Sequence, residues 1–126
     1  MNLKNCHNFE DFRKLAKKKL PSPIFHYIDG GSDDEVTLNR NTTSFNDYDL
    51  VPSVLNDVSN IDMSTTVLGE KIDFPLFPAA TAMHRLYHHE GERASAKAVE
   101  KMGTIFGTST MGTVSIEEIA KINKGP

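Results

Sequence analysis

Three features of the sequence predict the α/β class, with parallel strands joined by helices. A short, nearly continuous apolar run at 74–80 (FPLFPAA) is typical of a strand buried on both faces, and TIFGTS at 104–109 repeats that pattern. An amphipathic helical pattern follows each run, at 91–102 and again from Ser115 onward. Strand, loop and helix therefore alternate twice, which indicates two βα units.

The first forty residues contain three sets of helix-start and helix-stop signals. Each start is a Ser or Asn whose side chain can accept a hydrogen bond from the first free backbone N–H groups. The predicted helices run from Asn8 to about Leu20, from Ser22 to Gly30, and from Ser32 to about Asn41. Ser32 and Glu35 also have the spacing of a capping box.

The middle of the chain predicts a loop and then a hairpin. Residues 42–60 carry loop signals, and STTVLGEKIDFP at 64–75 contains two β-prone pieces around Gly69-Glu70. The later helix at 91–102 is predicted to end at Gly103 and to bury one apolar face, made of Ala94, Ala98, Val99 and Met102. Ser115 and Glu118 form a second predicted capping box.

Composition narrows the class of protein. The 126 residues are 38% hydrophobic, with a net charge of −3 and a pI near 5.9. The one basic cluster, Lys17–Lys19, is typical of a solvated helix end, so nucleic-acid binding is disfavoured. A single cysteine, Cys6, favours a reducing compartment. The longest mostly apolar stretch, 74–83, is too short for a transmembrane segment, so we predict a cytoplasmic protein, with peripheral association at the inner membrane left open.

Several common catalytic and metal motifs do not occur. His84, His88 and His89 have the spacing H-x-x-x-H-H, which is not the H-E-x-x-H zinc pattern, and we predict no metal site. The glycines form neither G-x-x-x-x-G-K nor G-x-G-x-x-G, so a Rossmann nicotinamide site is unsupported. Ser109 lies in no G-x-S-x-G motif, which disfavours a serine hydrolase.

Candidate binding groups lie in the loops after the two predicted strands, where parallel βα proteins carry their reactive groups. Thr81 and Ser109 can hydrogen-bond a heteroaromatic edge or a phosphate, although small residues are also common where a strand ends. Tyr27 lies within an apolar run just before Gly30-Gly31. Its hydroxyl is a candidate hydrogen-bond donor to a small acid, and the alternative is that Tyr27 is a core residue.

Three blocks of the sequence, in this order, resemble the N-terminal third of the FMN-dependent 2-hydroxy-acid dehydrogenases, which include glycolate oxidase and bacterial L-lactate dehydrogenase. They are FHYIDGGSDDEVTLNRN, NDVSNIDMSTTVLGEKIDFPLFPAATAM and HHEGERASAKAVEKMGTIFGTSTMGTVSIEEIA. The resemblance implies an incomplete TIM (β/α)8 barrel. Residues 1–73 would be the helical segment and hairpin that precede the barrel, and residues 74–126 its first two βα units.

The resemblance also implies a role for five residues. Tyr27 matches the tyrosine that hydrogen-bonds the substrate carboxylate. Ala80, Thr81 and Ala82 match the segment that touches the flavin ring largely through backbone, and Ser109 matches a flavin-contacting serine. The catalytic histidine, the carboxylate-binding arginine, the flavin lysine and the phosphate loops belong to later parts of the barrel. We therefore expect no catalytic residue in this chain and no turnover by the 126 residues alone.

Two positions depart from the glycolate oxidase pattern. Ala80 replaces the proline of P-T-A-M, the commonest form of this segment in glycolate oxidase. Met111 stands where glycolate oxidase has a tryptophan near the substrate. FHYIDGG with TLNRN is more similar to the L-lactate dehydrogenase branch. The resemblance thus implies oxidation of L-lactate to pyruvate with transfer of electrons to flavin N5, in a full-length tetramer. The alternatives are a glycolate or 2-hydroxy-acid oxidase and a small non-catalytic α/β interaction module.

Overall fold

A computed structural model describes residues 3–125 of the chain. They divide into two compact units, one up to Asn56 and one from Asp57 onward. In the part of the chain that the structure describes, no helix is both long and apolar enough to cross a bilayer. The predicted division at residue 73 refers to the organisation of a whole barrel and stays a prediction.

The first unit is helical, as predicted. Its three α-helices are α1 (Phe9–Lys19), α2 (Ser22–Asp29) and α3 (Val36–Thr43), with short 3-10 turns at Leu3–Asn5 and Ser44–Asp47. Asn8 caps α1, since its side chain accepts the backbone N–H of Asp11 at 2.9 Å. The start and the end of α1 therefore agree with the sequence signals.

An ion pair joins α1 to α2. The guanidinium of Arg13 donates to both carboxylate oxygens of Asp29, at 2.5 and 2.9 Å. These hydrogen bonds lower the pKa of Asp29. Leu15 of α1 and Phe25 of α2 are the buried side chains of the two helices.

Two predicted caps in this unit are wrong. Ser22 is the first residue of α2 rather than its cap, because Pro21 occupies the cap position. Glu35, in the left-handed region at φ 56°, is the residue before α3, which therefore begins later and ends later than predicted. The Glu35 carboxylate accepts the N–H of Gly31 at 3.0 Å, and the backbone N–H of Glu35 donates to the carbonyl of Ser32. These bonds close a turn before the helix starts.

The second unit begins with the predicted hairpin. Strands β1 (Thr65–Val67) and β2 (Glu70–Ile72) pair antiparallel, with Val67 opposite Glu70. The two turn residues, Leu68 and Gly69, both have positive φ, at 53° and 88°. This is the geometry of a two-residue type I′ turn, whose twist matches that of the strands.

Two helices follow, α4 (Glu92–Met102) and α5 (Ile116–Ile122). Gly103 ends α4 in the left-handed region, as predicted, at φ 61°. The cap of α5 also agrees, since the Ser115 side chain accepts the N–H of Glu118. The core of the unit consists of Ala96, Val114 and Ile119, with Phe106 and Ile122 packed against them.

The predicted buried face of α4 is wrong at two of its four positions. The buried residues are Glu92, Ala96 and Val99, which follow one another at helical spacing, whereas Ala98 and Met102 are exposed. The prediction considered apolar side chains alone and so missed a face that starts with a buried carboxylate.

The predicted strands at 74–80 and 104–109 have no strand assignment in the structure. The two segments nevertheless run side by side in the same direction. The Asp73 N–H donates to the Gly103 carbonyl at 2.8 Å, and one residue later Thr104 Oγ1 donates to the Leu76 carbonyl at 2.9 Å. Later residues of one segment thus contact later residues of the other. A strand ladder needs regular backbone pairing, which these contacts do not supply. Leu76 is exposed, so the expected burial on both faces is also absent in this chain.

Candidate functional site

The ends of the two parallel segments lie next to each other. A Cβ added to Gly107 would lie 3.4 Å from the backbone nitrogen of Ala80, so the two backbones approach closely there. Farther along, Met83 N–H donates to the Met111 carbonyl at 3.1 Å. The loop at 80–86 and the loop at 109–113 are therefore adjacent, and we call them loop A and loop B.

Loop A presents backbone donors. Among residues 3–125, the N–H groups of Ala80, Thr81 and Ala82 find no acceptor. The Thr81 hydroxyl bonds locally, to the carbonyl of Ala79 at 3.3 Å. Ala80 and Thr81 are exposed, and Ala82 is half-buried. Because none of these side chains is large, a flat ligand can approach the backbone here.

Loop B presents a hydroxyl. Ser109 Oγ accepts the N–H of Met111 at 3.1 Å, and the Ser109 carbonyl accepts the N–H of Gly112 at 3.0 Å. The first bond uses the oxygen as an acceptor, so the O–H remains available as a donor. The structure thus brings four of the five predicted site residues into two neighbouring loops.

Tyr27, the fifth predicted residue, belongs to the first unit. It lies in α2 and is 58% exposed, so it is not part of the core that residues 3–125 form. Phe25 is the residue of α2 that turns inward, and two helical steps place Tyr27 on roughly the opposite side. The phenol is accessible, and its role with a substrate stays a prediction.

A buried carboxylate that the sequence analysis missed joins the two loops. Glu92, the first residue of α4, is 1% exposed. Its Oε1 accepts the backbone N–H of Thr113 at 2.8 Å and that of His84 at 3.4 Å, and its Oε2 accepts the Thr113 hydroxyl at 2.6 Å. Thr113 Oγ1 in turn accepts the N–H of Arg85 at 3.3 Å.

These donors keep Glu92 ionised. Burial alone would raise the pKa of its carboxyl group, because a charge is poorly solvated there. The side-chain and backbone hydrogen bonds of Thr113, with the backbone N–H groups of Glu92 and His84, outweigh burial and lower the pKa to about 2. Neutral donors hold the charge, since no ion pair among residues 3–125 includes Glu92.

One signal in the sequence could have identified Glu92. In HHEGE it is an acidic residue directly after a glycine and at the start of an apolar helical pattern. Acidic residues are favourable in the first turn of a helix. The pattern gives no information on Thr113, however, because that contact spans 21 residues.

The histidines do not converge on a metal site in the described residues, where no group of three or more His, Cys, Asp or Glu side chains could hold an ion. His84 Nδ1 lies 3.3 Å from Ser95 Oγ. The rings of His88 and His89 contact each other, with centroids 4.3 Å apart.

Comparison with known proteins gives the class of this chain and its family. The model of the FMN-dependent dehydrogenase family matches residues 16–126. The chain belongs to this family, whose cofactor is FMN. The family resemblance seen in the sequence is thereby confirmed.

Curated relatives agree. The chain is 47% identical to the peroxisomal (S)-2-hydroxyacid oxidase GLO4 of Arabidopsis thaliana over 113 residues, which are 90% of this chain and 31% of the relative. It is 42% identical to the glycolate oxidase of Spinacia oleracea over 118 residues, 94% of this chain and 32% of the relative. The chain therefore spans about a third of the length of the curated relatives it matches.

Solved structures match at a similar level. A soluble mutant of the membrane-associated (S)-mandelate dehydrogenase from Pseudomonas putida superposes with a TM-score of 0.84 at 36% identity, covering 96% of this chain and 35% of that one. A protein named as a lactate oxidase from Pediococcus acidilactici superposes with a TM-score of 0.81 at 31% identity, covering 94% of this chain and 33% of that one. The chain thus has the fold of about a third of these proteins.

Proposed function

We propose that this chain forms the N-terminal part of a flavoprotein that oxidises a small L-2-hydroxy acid. The observation that carries the proposal is that loop A, with the N–H groups of residues 80–82 that have no acceptor among residues 3–125, lies next to loop B with the Ser109 hydroxyl. The flavin ring has polar atoms along one edge that can accept hydrogen bonds from donors of this kind. When bound, FMN supplies a two-electron acceptor.

In this proposal each predicted residue binds rather than reacts. Backbone N–H groups of Ala80, Thr81 and Ala82 and the hydroxyl of Ser109 would hold the ring system of FMN. The Tyr27 hydroxyl would donate to the substrate carboxylate and so orient the α-carbon, which is a positioning effect. A histidine base and a carboxylate-binding arginine would come from chain outside these 126 residues.

The substrate within this class needs revision. The sequence predicted L-lactate, but the similarity to glycolate oxidases and to (S)-2-hydroxyacid oxidases favours the alternative, glycolate or a related 2-hydroxy acid. Met111 is 57% exposed in loop B, and a methionine there leaves room for more than one substrate size. We therefore propose glycolate first and L-lactate second.

We also propose an incomplete TIM barrel, because the two segments 74–80 and 104–109 run parallel. Leu76 and Phe77 are exposed although their run is typical of a strand buried on both faces. Further βα units would cover these side chains and complete the backbone pairing of 74–80 and 104–109. The similar proteins, about three times as long, have room for such units. The tetramer and the cytoplasmic location stay predictions.

The test has two parts. Sequencing of the coding region beyond residue 126 should show further βα units in frame, with a late histidine and arginine. The protein read from that whole region should bind FMN and reduce an artificial dye with glycolate faster than with L-lactate, and the 126-residue chain should do neither.

Two results would contradict the proposal. One is a stop codon directly after residue 126. The other is stoichiometric FMN that stays with the 126-residue chain through gel filtration, since late barrel loops are expected to bind the phosphate. A cooperative unfolding transition of a monomeric 126-residue chain would favour the alternative of a self-contained interaction module.

A further inference from the structure

We propose that Glu92 is a positioning residue that holds loop A and loop B in register for FMN, an inference that rests on the proposed function. Glu92 does not point toward the unpaired N–H groups of 80–82 or toward Ser109 as their hydrogen-bond partner. Its carboxylate binds the two loops at His84, two residues after Ala82, and at Thr113, four residues after Ser109.

The Glu92 carboxylate joins both loops. Oε1 accepts a backbone N–H from His84 in loop A and another from Thr113 in loop B, at 3.4 and 2.8 Å. Oε2 accepts the Thr113 hydroxyl at 2.6 Å. Because that hydroxyl oxygen also accepts the N–H of Arg85, Thr113 is bound to both α4 and loop A.

Short stretches of chain connect these bonds to the proposed FMN contacts. In loop A, Ala82 is two residues from His84, and Met83 N–H between them donates to the Met111 carbonyl. In loop B, the turn from Ser109 to Gly112 is closed by a 3.0 Å hydrogen bond, directly before Thr113. A displacement of His84 or Thr113 is therefore transmitted through one short turn to the FMN-facing donors.

The packing around Glu92 leaves its side chain little freedom. Gly91, just before Glu92, has φ 55°, and a Cβ there would collide with the side chain of Arg85 and lie 3.4 Å from Thr113 Oγ1. The neighbouring Arg93 is paired elsewhere, with Glu118 of α5 at 2.5 Å. The Glu92 carboxylate therefore acts on the loops and not in an ion pair between helices.

The experiment compares three variants with a matched control in the whole FMN-binding protein. Glu92→Ala removes the acceptors, Glu92→Gln keeps one carbonyl oxygen, and Thr113→Val removes the hydroxyl at an exposed position where folding is least at risk. The control, Glu118→Ala, removes an α4–α5 ion pair whose partners lie in neither loop. The readouts are the dissociation constant of FMN, from quenching of its fluorescence, and the visible absorption spectrum of the bound flavin.

We expect Glu92→Ala to raise the dissociation constant about tenfold or more, Thr113→Val and Glu92→Gln to raise it less, and Glu118→Ala to leave it unchanged. In the whole protein without FMN, the amide protons of Met83 and Gly112 should exchange faster in Glu92→Ala than in Glu118→Ala. If Glu92→Ala does not fold, Thr113→Val decides by the same measurements.

The outcomes separate this inference from the proposed function. If the unaltered protein binds FMN and the Glu92 and Thr113 variants bind it as tightly as Glu118→Ala does, the positioning role is wrong and the proposed function stands. If the unaltered protein does not bind FMN, the proposed function fails, and the positioning role fails with it. Equal exchange rates in Glu92→Ala and Glu118→Ala would overturn the inference without any use of FMN.

Discussion

Glu92 and Thr113 contact each other twice, through the backbone N–H of Thr113 at 2.8 Å and through its hydroxyl at 2.6 Å. The contact joins the first turn of α4 to the loop before α5. A charged acceptor strengthens both hydrogen bonds, and burial excludes water that would compete with them. The pair therefore contributes to stability as well as to the arrangement of the loops.

The stability of the second unit should fall at acid pH because of Glu92. Its folded pKa of about 2 lies below the ordinary value of 4.5, so the unfolded state binds more protons between these two pH values. The contribution is present above about pH 4.5 and is lost as the pH falls toward 2, a change of about 3 kcal/mol in the free energy of unfolding. Urea unfolding of the whole protein between pH 2 and pH 7 measures it.

Other carboxylates also titrate in this range, so the test is a difference between variants. Glu92→Gln should flatten the pH dependence relative to the unaltered chain, whereas Glu117→Gln, at an exposed position in the first turn of α5, should not. Parallel pH profiles for the unaltered chain and Glu92→Gln would show that Glu92 is not ionised by these hydrogen bonds.

Tyr27→Phe should lower kcat/KM of the whole flavoprotein for its hydroxy acid about ten- to a hundredfold, if the phenol donates to the substrate carboxylate. The phenyl ring is kept, so the packing of α2 should not change. Tyr48→Phe is the control, because Tyr48 is also exposed and has no proposed role. Steady-state rates with glycolate decide, and equal losses in the two variants would reject the substrate role.

Ser115→Ala should destabilise the second unit by about 1 kcal/mol, because it removes the hydroxyl that accepts the N–H of Glu118 at the start of α5. Ser115→Gly should cost only a few tenths of that amount, since glycine is tolerated at a helix cap. Thermal unfolding followed by circular dichroism compares the two. An alanine variant as stable as the glycine variant would show that the cap contributes little.

Gly103→Ala should be more harmful than Gly69→Ala. Both glycines have positive φ, which costs an L residue roughly 1–2 kcal/mol. A Cβ at Gly103 would also collide with the side chain of Asp73, whereas a Cβ at Gly69 would meet nothing within 4 Å. The free energies of unfolding from urea titration test the order, and equal losses would mean that the Asp73 side chain moves away without cost.

Local signals predicted most of the helices and the hairpin correctly. Asn8 and Ser115 cap their helices, and Gly103 ends α4, because each of these depends on residues within one turn of the chain. The predicted caps at Ser22 and Ser32 were wrong. Pro21 takes the position before α2, and a turn closed by the bond from Glu35 N–H to the Ser32 carbonyl precedes α3.

The candidate site was predicted less completely. The family resemblance predicted roles for Tyr27, the segment 80–82 and Ser109, and these roles stay predictions. In the structure Tyr27, Ala80 and Thr81 are exposed, and Ala82 and Ser109 are half-buried. Periodicity assigned the wrong inner face to α4, because an apolar pattern cannot represent a buried charge. Glu92 is stable inside only since several donors surround it, and donors are not visible in a hydropathy pattern.

The sequence by itself determined the class of the protein, its family and most of its element boundaries, because these follow from short-range patterns and from the order of motifs. Tertiary structure alone decided that loop A and loop B lie side by side and that Glu92 joins them. The partners of that carboxylate lie 8 and 21 residues away, at His84 and Thr113. Their meeting depends on the return of the chain through α4, which brings the ends of two parallel segments to the same edge.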